Sequence, residues 1–201
     1  MHKSTPLKTK ISHMKYVWDP FVRIFHWSLV IAFAVAFYTH ASEWDRLIHV
    51  RAGYVAGFLL ASRVVWGLVS TGYASFDSFP LNPIHAAKHL YRVMHGRAKH
   101  YIGHNPAGGL VIYAMLTIGL IAVGSGWLVY NDDWLIDEPE LLQAAHHYAT
   151  WGWLILVGIH VSGVLFESIV HKDNLIRAMF TGCKRVCKID ERQAKQKQFL
   201  N

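Results

Sequence analysis

The sequence predicts an all-α integral membrane protein, a four-transmembrane-helix bundle, and three observations carry that prediction. Of 201 residues, 53% are hydrophobic and only 16% charged, a balance unusual for a soluble domain. The uncharged residues gather into four long runs, and about 20 apolar residues suffice to cross the ~30 Å hydrocarbon layer. The cationic residues concentrate in alternate connecting segments, as membrane topology requires.

The first run, 24–42, follows a leader carrying Lys3, Lys8, Lys10, Lys15 and Arg23 and gives an expected span over 22–42. A basic leader before an apolar run also fits a cleaved signal peptide. His26 and Trp27 interrupt its start and three further spans follow, so a retained helix is the better reading. The second run starts at Ala52, passes the single Arg63 and continues to about Ser75, giving a span over 50–72 with Arg63 expected to snorkel to the surface. The third, 102–131, gives a span over 107–130. The fourth, with nothing charged between Glu140 and Glu167, gives a span over 141–168. Segments 1–18 and 172–201 are basic tails. With no internal repeat and no dividing linker, residues 1–201 form one membrane domain.

The net charge of +7 raises the question of nucleic acid, and the positions of the charges answer it. Beyond the leader they fall in the middle loop (Lys88, Arg92, Arg97, Lys99) and in the C-terminal tail, while the other two loops hold only Arg46 and Arg51. With four spans these basic segments share one side, so the positive-inside rule puts both termini in the cytoplasm and accounts for the excess without nucleic acid. The opposite face is acidic, with Glu43, Asp45, Asp132, Asp133, Asp137, Glu138 and Glu140, a charge pattern suited to docking a basic partner. The two cysteines, Cys183 and Cys187, lie in the basic tail, where a reducing compartment keeps them as thiols. Their Cys-x3-Cys spacing is neither a redox nor a haem-attachment motif.

Histidines supply the chemistry. His146 and His160 are fourteen residues apart on the fourth span, ~21 Å along a helix and only ~40° around it. They face one side at two depths, too far apart for one metal ion, whose bonds are near 2 Å. His26, at the start of the first span, matches the depth of His160. His49, at the start of the second, matches His146, with His40 and His147 as rivals at that level. Two bis-histidine sites at opposite faces are what two b-type haems require. Arg63 would then be a candidate partner for a haem propionate. On depth alone, His49 and His40 remain equal candidates for the outer site. His2, His13, His85, His89, His95, His100, His104 and His171 lie in polar segments or at span ends and are expected to be solvated. A loop chelate of His85, His89 and His95 rests on spacing alone. Glycines 53, 57, 119, 124, 126, 152, 158 and 163 fit cofactor packing or ordinary close approach of membrane helices.

The order Arg23-Ile-Phe-His26-Trp27, Arg46-Leu-Ile-His49 with Gly53-Tyr54, Arg63-Val-Val-Trp66-Gly67, Gly103-His104-Asn105-Pro106 and His146-His147…His160 resembles the bacterial cytochrome b561 group. Within that group it resembles the b-type cytochrome subunit of membrane-bound nickel–iron hydrogenases. The resemblance runs from about Trp18 to Glu167; the terminal tails show no match. It implies two haems b, one held by His26 with His160 and the other by His49 with His146, which favours His49 over His40. It also implies electron passage across the bacterial inner membrane. The route would run between the quinone pool, usually near the cytoplasmic haem, and a periplasmic redox protein such as a hydrogenase small subunit or a cytochrome c.

The expected function is therefore a dihaem membrane cytochrome b embedded in lipid. One competing reading is a stand-alone quinone-linked oxidoreductase such as a superoxide oxidase, with Arg46 or Arg51 attracting an anion beside the outer haem. Another is a haem-free, histidine-lined ion carrier, whose ligands should cluster at one depth. A third is a haem-bearing anchor that chiefly holds a partner complex.

Overall fold

The computed structural model describes residues 12–79, 81–95, 101, 103–131 and 139–187. The acidic residues Asp132, Asp133, Asp137 and Glu138, with His2, His100, most of the leader and the far end of the basic tail, lie outside the described residues. Four helices are long and apolar enough to cross a membrane: α1 (Pro20–Thr39), α2 (Arg46–Val69), α4 (Pro106–Asn131) and α5 (Pro139–His171). Three further elements were not anticipated, namely α3 (Pro83–Met94), α6 (Leu175–Thr181) and an antiparallel ribbon of β1 (Ser12–Tyr16) with β2 (Cys183–Cys187).

Local chemistry sets the ends. Asp19 caps α1 by accepting from the Val22 amide at 2.8 Å, and Pro20 occupies the first turn, where a missing N–H costs nothing. The other carboxylate oxygen of Asp19 accepts from Trp66 Nε1 at 3.3 Å and so ties the start of α1 to the end of α2. That end falls at Val69, short of the expected 72, because the chain turns extended at Ser70 and enters two short 3-10 turns, Gly72–Ala74 and Phe76–Ser78. Gly182 closes α6 in the left-handed conformation (φ 80°), and its carbonyl accepts from both Val17 and Trp18 amides at 2.8 and 3.1 Å. A Cβ there would stand 2.6 Å from the Tyr16 ring, so both backbone angle and space demand glycine.

The ribbon joins the two ends of the described chain at one end of the bundle, the ribbon end. Tyr16 faces Cys183 and Ser12 faces Cys187. The cysteines are four residues apart on one strand, ~13 Å at ~3.3 Å per residue, beyond disulfide reach. Cys183 is a free thiol. Lys184, expected in a solvated tail, is instead buried, with Nζ donating to the Tyr101 carbonyl at 2.7 Å.

The spans pack in the order α1, α2, α4, α5. The core lies mid-bundle and is built from Ala32, Ala56, Leu60, Leu116, Ala122, Ala149 and Trp153. Four of the seven are alanines, which let apolar helices approach closely where lipid removes the hydrophobic drive to associate. Gly57 and Gly119 serve the same end. A Cβ at Gly57 would lie 2.7 Å from Val123, and one at Gly119 would lie 2.9 Å from the Trp153 ring. The outward rows of α1, α2 and α5, including Ile31, Phe58, Leu68, Ile155 and Ile169, are exposed and apolar, as a lipid-facing surface is.

Candidate functional site

The five residues singled out by the sequence fall at two levels. Near the ribbon end the rings of His26 (α1) and His160 (α5) have centres 6.3 Å apart, inclined at 53°. Near the opposite end, which opens as a cavity, His49 (α2) and His146 (α5) have ring centres 6.2 Å apart and nearly perpendicular. Two imidazoles that bond one metal from opposite sides, each at about 2 Å, put their ring centres roughly 6 Å apart. Edge-on aromatic pairs share that spacing, so the remaining ring nitrogens matter. His49 Nδ1 lies 2.8 Å from the Ala36 carbonyl of α1, and His146 Nδ1 lies 2.8 Å from the Ala122 carbonyl of α4. A carbonyl only accepts, so each Nδ1 carries a proton, which leaves Nε2 as the nitrogen available to a metal. At the other level His26 Nδ1 is shielded from solvent without a partner, and the ring stands edge-on to Trp27 at 5.1 Å.

The cavity beside His49 and His146 measures about 270 Å³ and is lined also by His40, Arg46, Gly53, Tyr54, Gly126 and Tyr130. Gly53 leaves open space, with nothing within 4 Å of a would-be Cβ, whereas a Cβ on Gly126 would stand 2.7 Å from the His146 ring. The rivals at this level are placed otherwise. His40 is exposed, stacks on Phe37 at 5.5 Å and turns its Nδ1 to the Phe37 carbonyl. His147 is exposed and lies edge-on to Tyr148 and Trp151. The two imidazoles beside this cavity are a donor set that fits the iron of a porphyrin.

Arg63 departs from the snorkelling expectation. It is 4% exposed; Nη2 donates to the Ala74 carbonyl at 3.1 Å, the guanidinium lies 5.0 Å over the Phe76 ring, and Nη1 has no partner. The chain beyond Val69 folds back over it, so the side chain meets protein before it reaches solvent. A buried cation with an unpaired donor is suited to an anionic group, such as a propionate. Arg63 is fourteen residues from His49 on α2, hence at the level of His26 and His160.

Three histidines expected to be solvated are not. His104 packs between Trp18 and Phe79, with ring centres 4.7 and 4.3 Å away, and its Nδ1 is shielded and unpartnered. Burial, reinforced by the positive charges of Arg63 and Lys184 and by His160, holds its pKa down at about 3 against an ordinary 6.5. His104 is therefore neutral in the fold. Between those values the unfolded chain binds more protons, so stability present above about 6.5 is lost as pH falls toward 3. His104→Gln is expected to flatten this acid branch in thermal unfolding of the detergent-solubilised protein.

His89 (4% exposed) and His171 meet Glu167 from two helices, Nε2 to carboxylate distances being 3.5 and 3.1 Å, while Asn105 Nδ2 donates to the same carboxylate at 3.1 Å. The loop chelate dissolves accordingly. His89 turns inward and His95 turns Nδ1 to the Tyr91 carbonyl. No group of three or more metal-binding side chains forms among the described residues.

The residue that sequence reasoning missed is Trp153. His146, Trp153, His160 and Glu167 follow one another at sevens, a spacing that returns to one helix face with ~20° of drift. Trp153 is 6% exposed, meets Phe33 of α1 edge-on at 5.0 Å and fills the space between the two histidine levels.

Residues 17–182 match the family model of prokaryotic cytochrome b561. Among curated relatives, the probable Ni/Fe-hydrogenase B-type cytochrome subunit of Azotobacter vinelandii is 25% identical over 83% of this chain and 87% of its own length. That of Rhodobacter capsulatus is 21% identical over 83% and 80%, and the probable Ni/Fe-hydrogenase 1 B-type cytochrome subunit of Escherichia coli K12 is 26% identical over 86% and 90%. No solved structure matches the chain significantly.

Proposed function

The chain belongs to the prokaryotic cytochrome b561 family, and from that premise we propose that it binds two haems b and passes electrons across the bacterial inner membrane, between the quinone pool and a redox protein outside. The single observation that carries this reading is the pairing of four histidines from α1, α2 and α5 at two levels, each pair about 6 Å apart. Each bound haem would supply a one-electron iron centre whose potential follows its axial ligands and burial.

The protein's own work is positional. His49 and His146 present Nε2 because backbone carbonyls hold Nδ1. His26 and His160 form the second ligand pair. Arg63 offers its free Nη1 to a propionate at that level. Since α5 supplies one ligand to each pair, its stiffness fixes the separation on which electron tunnelling depends. The excess of cations at the ribbon end supports a cytoplasmic orientation for both termini. The relatives' names support a nickel–iron hydrogenase as the outside partner, ahead of a cytochrome c.

Vesicles holding the purified protein and entrapped ferricyanide test this directly. Added quinol should reduce the internal ferricyanide through the wild type and not through His160→Ala; equal rates with both would overturn the reading. The cavity beside the outer pair, with Arg46 on its rim, supports a second reading in which a small anion such as superoxide reacts there. Superoxide-driven quinone reduction by the isolated subunit would favour it.

Gly126→Ala probes the cradle. Its new Cβ would displace the His146 ring from the Ala122 carbonyl, so loss of the cavity-end haem alone is expected in the absorbance spectrum.

A further inference from the structure

The twelve residues of α3 lie outside the haem levels and carry a pattern of three rows. At about 100° per residue, Ala86, His89 and Val93 share one row about 60° wide, His85, Lys88 and Arg92 a second, and Ile84, Ala87 and Tyr91 a third. The first row faces the bundle. Ala86 and His89 are each 4% exposed, α3 packs against α4, and His89 reaches Glu167 of α5. That buried contact fixes the rotation of the helix, and Asn82, accepting from the His85 amide at 2.9 Å, with Pro83 behind it, fixes its start.

The other two rows are uncovered. Ile84 and Tyr91 are 66% and 64% exposed, and Leu81 and Leu90 extend the apolar surface. His85, Lys88 and Arg92 are exposed, and neither Lys88 nor Arg92 pairs with a carboxylate among the described residues. An exposed apolar row about 100° from an unneutralised basic row is unfavourable in water. It is favourable where hydrocarbon lies on one side and negative charge on the other. The helix joins the ribbon-end termini of two spans, at the depth where such a boundary lies.

We propose that α3 lies in the membrane interface and binds anionic phospholipid headgroups, with Lys88 and Arg92 on the phosphates and Ile84, Leu90 and Tyr91 among the upper acyl chains. The inference is independent of haem binding and of electron transfer. Each basic residue near an anionic leaflet contributes about fivefold to lipid association.

The test uses the full chain in vesicles containing photoactivatable phosphatidylglycerol or phosphatidylcholine, with crosslinks mapped by peptide. Preferential labelling of the 83–94 peptide by phosphatidylglycerol is expected. Lys88→Gln/Arg92→Gln should reduce that preference by about 25-fold at this peptide while labelling of the basic tails is unchanged. A nitroxide at Tyr91→Cys, in a Cys183→Ser/Cys187→Ser background, should be reached by oxygen and shielded from a water-soluble nickel chelate. Equal labelling by both lipids, or a preference unaltered in the double variant, would overturn the proposal. So would a nitroxide open to the nickel chelate, or one closed to both reagents in a dimer, which would mark a second copy as the occupant.

Discussion

Trp153→Ala is expected to destabilise the bundle by about 3–5 kcal/mol, the range for emptying a buried indole site, and to do so without touching a ligand. Trp153 sits between the two histidine levels, against Phe33, Leu60 and Gly119. A void there lets α5 shift against α1 and α4, and α5 carries a histidine of each pair. The variant should therefore unfold at lower temperature in detergent and show altered spectra at both levels together. Trp153→Phe, which keeps much of the packing, should lose less. An unchanged unfolding temperature in Trp153→Ala would show that this side chain does not hold α5 in place.

The second large effect is selective. His160→Ala or His26→Ala should abolish haem binding at the ribbon end and spare the cavity end; His49→Ala or His146→Ala should do the reverse. His40→Ala and His147→Ala should change neither, because both rings are exposed and turned elsewhere. The contrast within each level separates ligand loss from general damage. Redox difference spectra of the purified variants give the measurement.

Much of this arrangement is legible in the sequence because membranes restrict the alternatives. Backbone polar groups must be satisfied inside each span, so four uncharged runs translate into four long helices. A fourteen-residue interval translates into one face at two depths. The same periodicity extended by sevens would have found Trp153. What periodicity leaves undecided is the choice between His40 and His49. His40 falls beyond the end of α1, where its ring folds back on its own helix, and only tertiary structure reveals that.

Burial of polar groups at the ribbon end is hidden from the sequence for a related reason. His89, His104, His171 and Lys184 look solvated beside the charged loops. His104 packs against Trp18 and Phe79, His89 and His171 turn to Glu167, and Lys184 reaches the Tyr101 carbonyl; the ribbon, α3 and the segment after α2 that take part are too short to announce themselves by hydropathy. Two signals were nevertheless present. Asn82-Pro83 is a helix start, and the three-row spacing over 84–93 marks a helix with one covered side. Arg63 belongs with them, since the chain that buries it, from Gly72 to Phe79, comes later in sequence and folds back over the guanidinium.

The proposed function requires that one chain hold two haems, each between a histidine of α5 and one of α1 or α2. Its most direct measurement is haem b per purified polypeptide by the pyridine haemochrome method, made on the wild type alongside His160→Ala and His49→Ala. Close to two is expected for the wild type and close to one for each variant. A wild type that folds with one haem or none, or variants that keep both, would contradict it.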